Sequence, residues 1–513
     1  MRGVLSLLNS DSEISAAISS RDVKIIAPSP SYPFLIALKA AKNSVLVITS
    51  SSRAAEDLVE TLRDLHSDVL EFPAWETLPH ERLSPRSDTV AKRLATLYAL
   101  QESGAHNPIV VAPVRAVIHR FLATLTNEPL MKIEIGQEIN LTELVAHLSH
   151  CAYTRTDLVE KRGEFAVRGG IVDVFLPLSH HPIRIDFFGD EIEELQYFDI
   201  SDQRTREAVV GAISILPCRE LLLSPAISEK ARELMDQYPQ ALELLSKISE
   251  GITVDGMESL IPLLIDDLQL INDSMPNGFE PIFIERERVM GRVADLLATN
   301  EEFRQAAWSN AAIGGKTPIE AGSTYIDWDL LKSELPNARD FRQFGSDTDT
   351  FLEIDPIEPF RGNIERLINI FESALNEKRR VIFSASSKGM IERYASIFRD
   401  ANLPIQIQYP FSAAPISGHI TLTASLFRNG FSSDEFLFIT ERDLTGSQSL
   451  GSEKLPSKRR KNIDPLQLKT GDYVVHEQHG IGRYVEMAQR SVGGVVREYL
   501  IIEYAPAKRG QPG

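Results

Sequence analysis

Apolar and polar positions are patterned differently along the chain. Residues 23–27 (VKIIA), 44–50 (SVLVITS) and 108–113 (PIVVAP) are continuous apolar runs, as expected of strands buried on both faces of a parallel sheet. Between the last two, SDTVAKRLATLYALQESG places Val90, Leu94 and Leu97 on one helical stripe, with Gly104 as a stop signal. A helix-covered parallel sheet is therefore expected over residues 1–128.

From residue 129 to 216 the period shortens to two. GEFAVRGGIVDVFLP and PIRIDFFGDEIEELQYFD, the second turned at Gly189-Asp190, predict an antiparallel β-rich insertion. Residues 217–345 read as mainly helical, through stretches such as AISEKARELMDQYPQALELLSKI, and are expected to complete the first module around the insertion. A second α/β domain follows at 355–447, with helices NIERLINIFESALNEK and GMIERYASIFRDANL and strands RRVIFSAS, PIQIQ, HITLTAS and EFLFITE. A polar linker occupies 448–465. Residues 466–513 return to short alternating strands, DYVVHE, GRYVEM and REYLIIEYA, with turns expected at Gly480 and Gly493-Gly494.

A chain of 513 residues suggests about three to five domains, and 43% hydrophobic with 25% charged residues is an ordinary globular balance. The net charge of -18 opposes a general nucleic-acid coat and favours protein partners. One basic run, Lys458, Arg459, Arg460 and Lys461, is a candidate DNA contact or a solvated linker. The first twenty residues lack a signal-peptide pattern, and no stretch is apolar enough to cross a membrane, so a soluble cytoplasmic protein is expected. Cys151 and Cys218 are too few for a disulfide framework or a thiolate cage, and no bridge between them is expected.

The order strand, turn, helix, strand at residues 23–52 is that of a phosphate-binding unit, but the turn itself is Pro28-Ser29-Pro30-Ser31-Tyr32-Pro33. Three prolines remove N–H donors, no glycine lets the backbone converge on a phosphate, and no lysine begins the helix. No nucleotide, metal or other cofactor is expected to bind this chain, and no catalytic residue is assigned. GGKT at Gly314 to Thr317 has Asn310 where the motif needs glycine, and Pro318 follows. Asp266 and Asp267 in LLIDD read as solvent-facing helix acids. His476 and His479 in HEQH are three apart, not the four of a zinc-protease helix.

Two surfaces carry better signals. In PIRIDFFGD, Ile183, Ile185 and Phe187 alternate with Arg184, Asp186 and Phe188, and Arg168 on the neighbouring strand falls opposite Phe165 and Val167. A large aromatic beside guanidinium groups is enriched at binding hot spots; the alternative is Phe188 packed beneath a helix with the arginines paired to Glu191 or Glu193. In REYLIIEYA both faces are apolar, which fits either a partner-binding strand or a two-sided core strand.

Four long segments, FPAWETLPHERLSPRSDTVAKRLATL (72–97), RGEFAVRGGIVDVFLP (162–177), RIDFFGDEIEELQYFDISDQRT (184–205) and GDYVVHEQHGIGRYVEM (471–487), together resemble the bacterial transcription-repair-coupling factors. The resemblance covers essentially the whole chain and is weakest over 217–460. It implies an α/β multidomain protein: a degenerate P-loop or RecA-like, UvrB-like module; the inserted β-rich domain, binding UvrA; the second α/β domain; and a partial SH3- or Tudor-like β-barrel truncated at Gly513, which meets RNA polymerase. About five strands close such a barrel, and this sequence offers three.

In the family, UvrA binding is carried over to Arg168, Arg184 and Phe188, and binding of the polymerase β subunit to Leu500 with Ile502 and Tyr499. The resemblance assigns ATP, magnesium and double-stranded DNA to a motor lying outside this sequence, so the chain is expected to be a monomeric adaptor, either a fragment or a truncated product. The rival readings are an ATP-dependent helicase or translocase with a non-standard site, and a non-catalytic DNA-binding protein working through Lys458 to Lys461.

Overall fold

The structure is a computed structural model that describes residues 1–20, 24–78, 83–102, 107–312, 324–346, 349–446, 471, 473–476, 480–492 and 495–504. The chain divides into two compact units, Met1–Ser449 and Leu450–Gly513.

The three early, mostly apolar runs form strands Lys24–Ile26, Val45–Thr49 and Ile109–Pro113 of one sheet. Along it the strands are ordered Thr350–Phe351, Lys24–Ile26, Arg339–Arg342, Glu280–Ile284, Val45–Thr49, Ile109–Pro113 and Val69–Glu71, and every pair is parallel. Alternate residues serve opposite faces. Val45, Val47, Ile109 and Val111 pack into one core with helices Tyr32–Ala40 and Ser52–Leu62. Leu46, Ile48, Val110 and Ala112 pack into a second core with Leu97 and Leu100 of helix Ser87–Glu102.

Residues 217–345 depart from the helical expectation, since Glu280–Ile284 and Arg339–Arg342 supply two inner strands that separate Lys24–Ile26 from Val45–Thr49. Local periodicity cannot show this: their partners in the early strands lie more than two hundred positions away. The acids Asp266 and Asp267 are exposed but not helical; they lie between helix Ile261–Leu264 and strand Leu268–Gln269.

The inserted β-rich region forms a six-stranded sheet in the order Thr205–Ala208, Glu191–Phe198, Ile183–Phe188, Ile171–Val174, Glu164–Arg168 and Thr154–Arg155. It is antiparallel except for the last pair. Gly189, at φ +66°, turns the central hairpin in a conformation that favours glycine. One face is covered by helix Leu141–His150, whose Leu144 and Leu148 join Phe165, Val172, Val174, Ile183 and Ile185.

In the second α/β domain, strands Phe436–Thr440, Arg380–Ala385, Ile420–Ala424 and Ile405–Ile407 run parallel, with Phe431–Ser432 and Asp355–Pro356 antiparallel at one edge. Helices Ile364–Asn376 and Lys388–Asp400 form where their stripes place them, capped by Asn363 and Ser387. This domain shares a core with the first: Phe34 stacks on Phe427 at 4.6 Å and meets Phe431 edge-on at 5.3 Å.

The separate C-terminal unit contains strands Tyr473–His476, Gly480–Val492 and Val495–Tyr504 in an antiparallel meander. Gly480 opens the middle strand, where it pairs with His476. Gly493 and Gly494 lie outside the described residues.

Candidate docking face

Two places invite comparison: the crevice beyond the Pro28–Pro33 turn, and the uncovered face of the β-rich insertion. Open parallel sheets bind ligands beyond the carboxyl ends of their strands, and the turn lies there. It folds as a short 3-10 turn, Ser29–Ser31, leading into the fully buried helix Tyr32–Ala40.

Its hydrogen-bonding groups are met from within. Ser31 Oγ donates to the Pro28 carbonyl at 2.8 Å, and the Tyr32 hydroxyl donates to Glu285 Oε1 at 3.3 Å. Glu285 follows strand Glu280–Ile284 and also accepts from the Gln343 amide at 3.1 Å. Burial, then the Glu285 charge, pushes the Tyr32 phenol well above its ordinary pKa. On the other side Arg428 donates to both oxygens of Asp57, at 2.8 and 3.1 Å. The remaining cleft, about 310 Å³, is bordered by Ser29, Pro30, Tyr32, Asp57, Phe427 and Arg428. Its one guanidinium is committed to a carboxylate.

The β-rich face is different. Paired positions run Ala166, Asp173, Arg184, Gln196 in one row and Arg168, Ile171, Asp186, Glu194 in the next, all on the side away from the Leu141–His150 helix. The register shift after Asp186 leaves Glu193 as the extra residue on the partner strand. Alternation along Ile183–Phe188 therefore survives, and Phe188 emerges on this side with 77% of its surface exposed. It is not packed beneath a helix.

Arg168 is exposed and donates to the Asp157 carbonyl at 2.7 Å. Arg184 is bound differently: its Nε and Nη2 donate to Asp173 Oδ1 and Oδ2 at 2.7 and 2.9 Å, and its guanidinium lies 5.0 Å above the Phe198 ring. The side chains of Arg184 and Asp173 are only 17% and 2% exposed. Thus neither arginine pairs with Glu191 or Glu193. Sequence reading missed Asp173 and Phe198; the one available signal was an acid inside the apolar strand IVDV.

Leu500, Ile502 and Tyr499 fall on strand Val495–Tyr504, where their backbones pair with Met487, Tyr484 and Ala488. Lys458, Arg459, Arg460, Lys461 and the GGKT segment lie outside the described residues, as do residues 477–479 of HEQH. Among the described residues no three His, Cys, Asp or Glu side chains stand where they could hold a metal ion, and no helix is long and apolar enough to cross a membrane. Cys151 and Cys218 are free and buried, and burial pushes the Cys151 thiol up to about 12.

Comparison with known proteins bears on these surfaces. A family model described as "UvrB interaction domain" matches residues 131–221, and one described as "CarD-like/TRCF RID domain" matches 468–509. The transcription-repair-coupling factors of Mycobacterium bovis and Mycobacterium tuberculosis are each 35% identical over 523 aligned residues, covering 95% of this chain and 42% of theirs. That of Escherichia coli is 26% identical, covering 88% of this chain and 41% of its own length. The chain thus spans about two-fifths of the length of these curated relatives, and over that shared stretch it is similar to the transcription-repair-coupling factors.

Proposed function

We propose that this stretch acts as an adaptor in transcription-coupled repair, with the β-rich domain recruiting the excision-repair protein UvrA and the C-terminal meander engaging the β subunit of stalled RNA polymerase. The observation that carries the reading is Phe188, 77% exposed on the same sheet face as the exposed Arg168, inside the region matched by the UvrB interaction domain. An exposed aromatic flanked by a cation is the composition of a hot spot. Relatives whose names state transcription-repair coupling support assigning that role here.

The first module is proposed to be a UvrB-like, RecA-like sheet that has lost its nucleotide chemistry. Its all-parallel strand order supports the architecture, and the internally paired Tyr32, Glu285, Asp57 and Arg428 support the loss. In this reading the chain takes no cofactor of its own, acts as a cytoplasmic monomer, and leaves ATP, magnesium and most DNA contact to parts of the family's proteins beyond the shared stretch. The three-stranded meander is proposed to belong to an SH3- or Tudor-like barrel, with Leu500, Ile502 and Tyr499 as its polymerase contacts.

Calorimetric titration of the chain with purified UvrA tests the reading. Phe188→Ala and Arg168→Glu should each weaken binding without changing the melting temperature; parental affinity in both would remove the assignment. Leu500→Arg should abolish capture of the polymerase β subunit while leaving UvrA binding intact.

A further inference from the structure

The proposed UvrA face is not uniform. Around Arg184 it is closed: Val159, Ala166, Phe175 and Phe198 form a small core of their own, and Arg184 closes over it by gripping Asp173 and donating from Nη1 to the Gln203 carbonyl at 3.4 Å. One row further along it is open. There Arg168, Ile171 and Asp186 are consecutive cross-strand neighbours, and Phe188 lies two positions beyond Asp186 on the same face.

Asp186 is half-buried yet has no hydrogen-bond or salt-bridge partner among the described residues, although Arg184 is two positions away. Arg184 is held by Asp173 instead. A carboxylate that is partly desolvated on folding and gains no donor is left available to a donor from outside, and such a group in the same row as exposed binding residues is a recognition candidate. Burial, with added repulsion from Asp173 and Glu193 and only partial relief from Arg184, holds its carboxyl above the usual range.

We propose that the partner is met by Arg168, Asp186 and Phe188, with Asp186 accepting a basic side chain of the partner, and that Arg184 is a positioning residue acting through Asp173 rather than a contact. This rests on the UvrA reading above and fixes the chemistry required of the partner surface: an acid for Arg168, an arginine or lysine for Asp186, and an apolar socket for Phe188. The charge pattern of the face sets this requirement, since a cation and an anion flank Ile171 in one row.

Titration of the 513-residue chain with purified UvrA at two salt concentrations tests both halves. Asp186→Lys should weaken binding about tenfold or more, as like-charge juxtaposition does, with an unchanged melting temperature; Asp186→Asn should weaken it less. Arg168→Ala should lower the salt dependence of affinity. Arg184→Ala and Asp173→Asn should weaken binding to a similar extent, show no further loss when combined, and keep the parental salt dependence.

Parental binding by Asp186→Lys alongside loss in Phe188→Ala would overturn the Asp186 assignment and leave the UvrA reading standing. Parental binding by Asp173→Asn alongside loss in Arg184→Ala would make Arg184 a direct contact. Parental binding by Phe188→Ala and Arg168→Ala would overturn the UvrA reading itself.

Discussion

The crevice at Pro28–Pro33 and the open row of the β-rich sheet make opposite uses of similar chemistry. The crevice has the architecture of a ligand site, but Tyr32, Glu285, Asp57 and Arg428 satisfy one another. The open row of the β-rich face leaves an aromatic ring and a guanidinium exposed and a carboxylate half-exposed. On the proposed reading, fold architecture is a poor guide to where this chain binds, and exposed chemistry is a better one. Changes on the closed side should be read in stability, and changes on the open side in partner affinity.

The largest expected effect is on the closed side. Phe34 is fully buried where the two α/β domains share a core, so Phe34→Ala should cost about 3–5 kcal/mol in denaturant unfolding. A cost near zero would mean that the domains do not close the crevice together. Phe188→Ala comes next, on the open side: UvrA affinity should fall by about 2 kcal/mol, while stability shifts by less than about 0.5 kcal/mol.

A third prediction concerns pH. His119 is fully buried, edge-on to Trp75 at 4.4 Å; burial and then the charges of Arg93 and Arg115 hold its pKa well below the usual imidazole value. The unfolded chain therefore binds a proton that the folded chain refuses. Stability should be unaffected above about pH 6.5 and should fall with acidification by about 1.4 kcal/mol per pH unit. The parent minus His119→Gln difference in unfolding free energy, measured from pH 7.5 to 5, isolates that slope; equal slopes would contradict the burial.

The smallest effect is Tyr32→Phe, which removes one hydrogen bond to Glu285 and should cost about 1 kcal/mol. It should not create ATP binding, because the prolines still deny the turn its donors. Nucleotide binding by this variant would break the comparison at its simplest point.

Legibility in the sequence followed the range of the interactions. VLVIT, IVVAP and the helices of the second α/β domain were readable because burial on both faces, or on one stripe, leaves a local pattern. The central sheet's order was not, because Glu280–Ile284 and Arg339–Arg342 insert from a distant, outwardly helical region.

The same division holds within the site. The two faces of Ile183–Phe188 were readable, since the extra residue sits on the other strand. That Arg184 and Arg168 differ in pairing and exposure was not, because only cross-strand register brings Asp173 beneath Arg184.

Hydrogen–deuterium exchange of the chain with and without UvrA tests the central contrast most directly. The account predicts added protection in Glu164–Arg168 and Ile183–Phe188, and none at residues 28–33 or 427–429, with ATP present or absent. Protection at the crevice with the β-rich strands unchanged would contradict it.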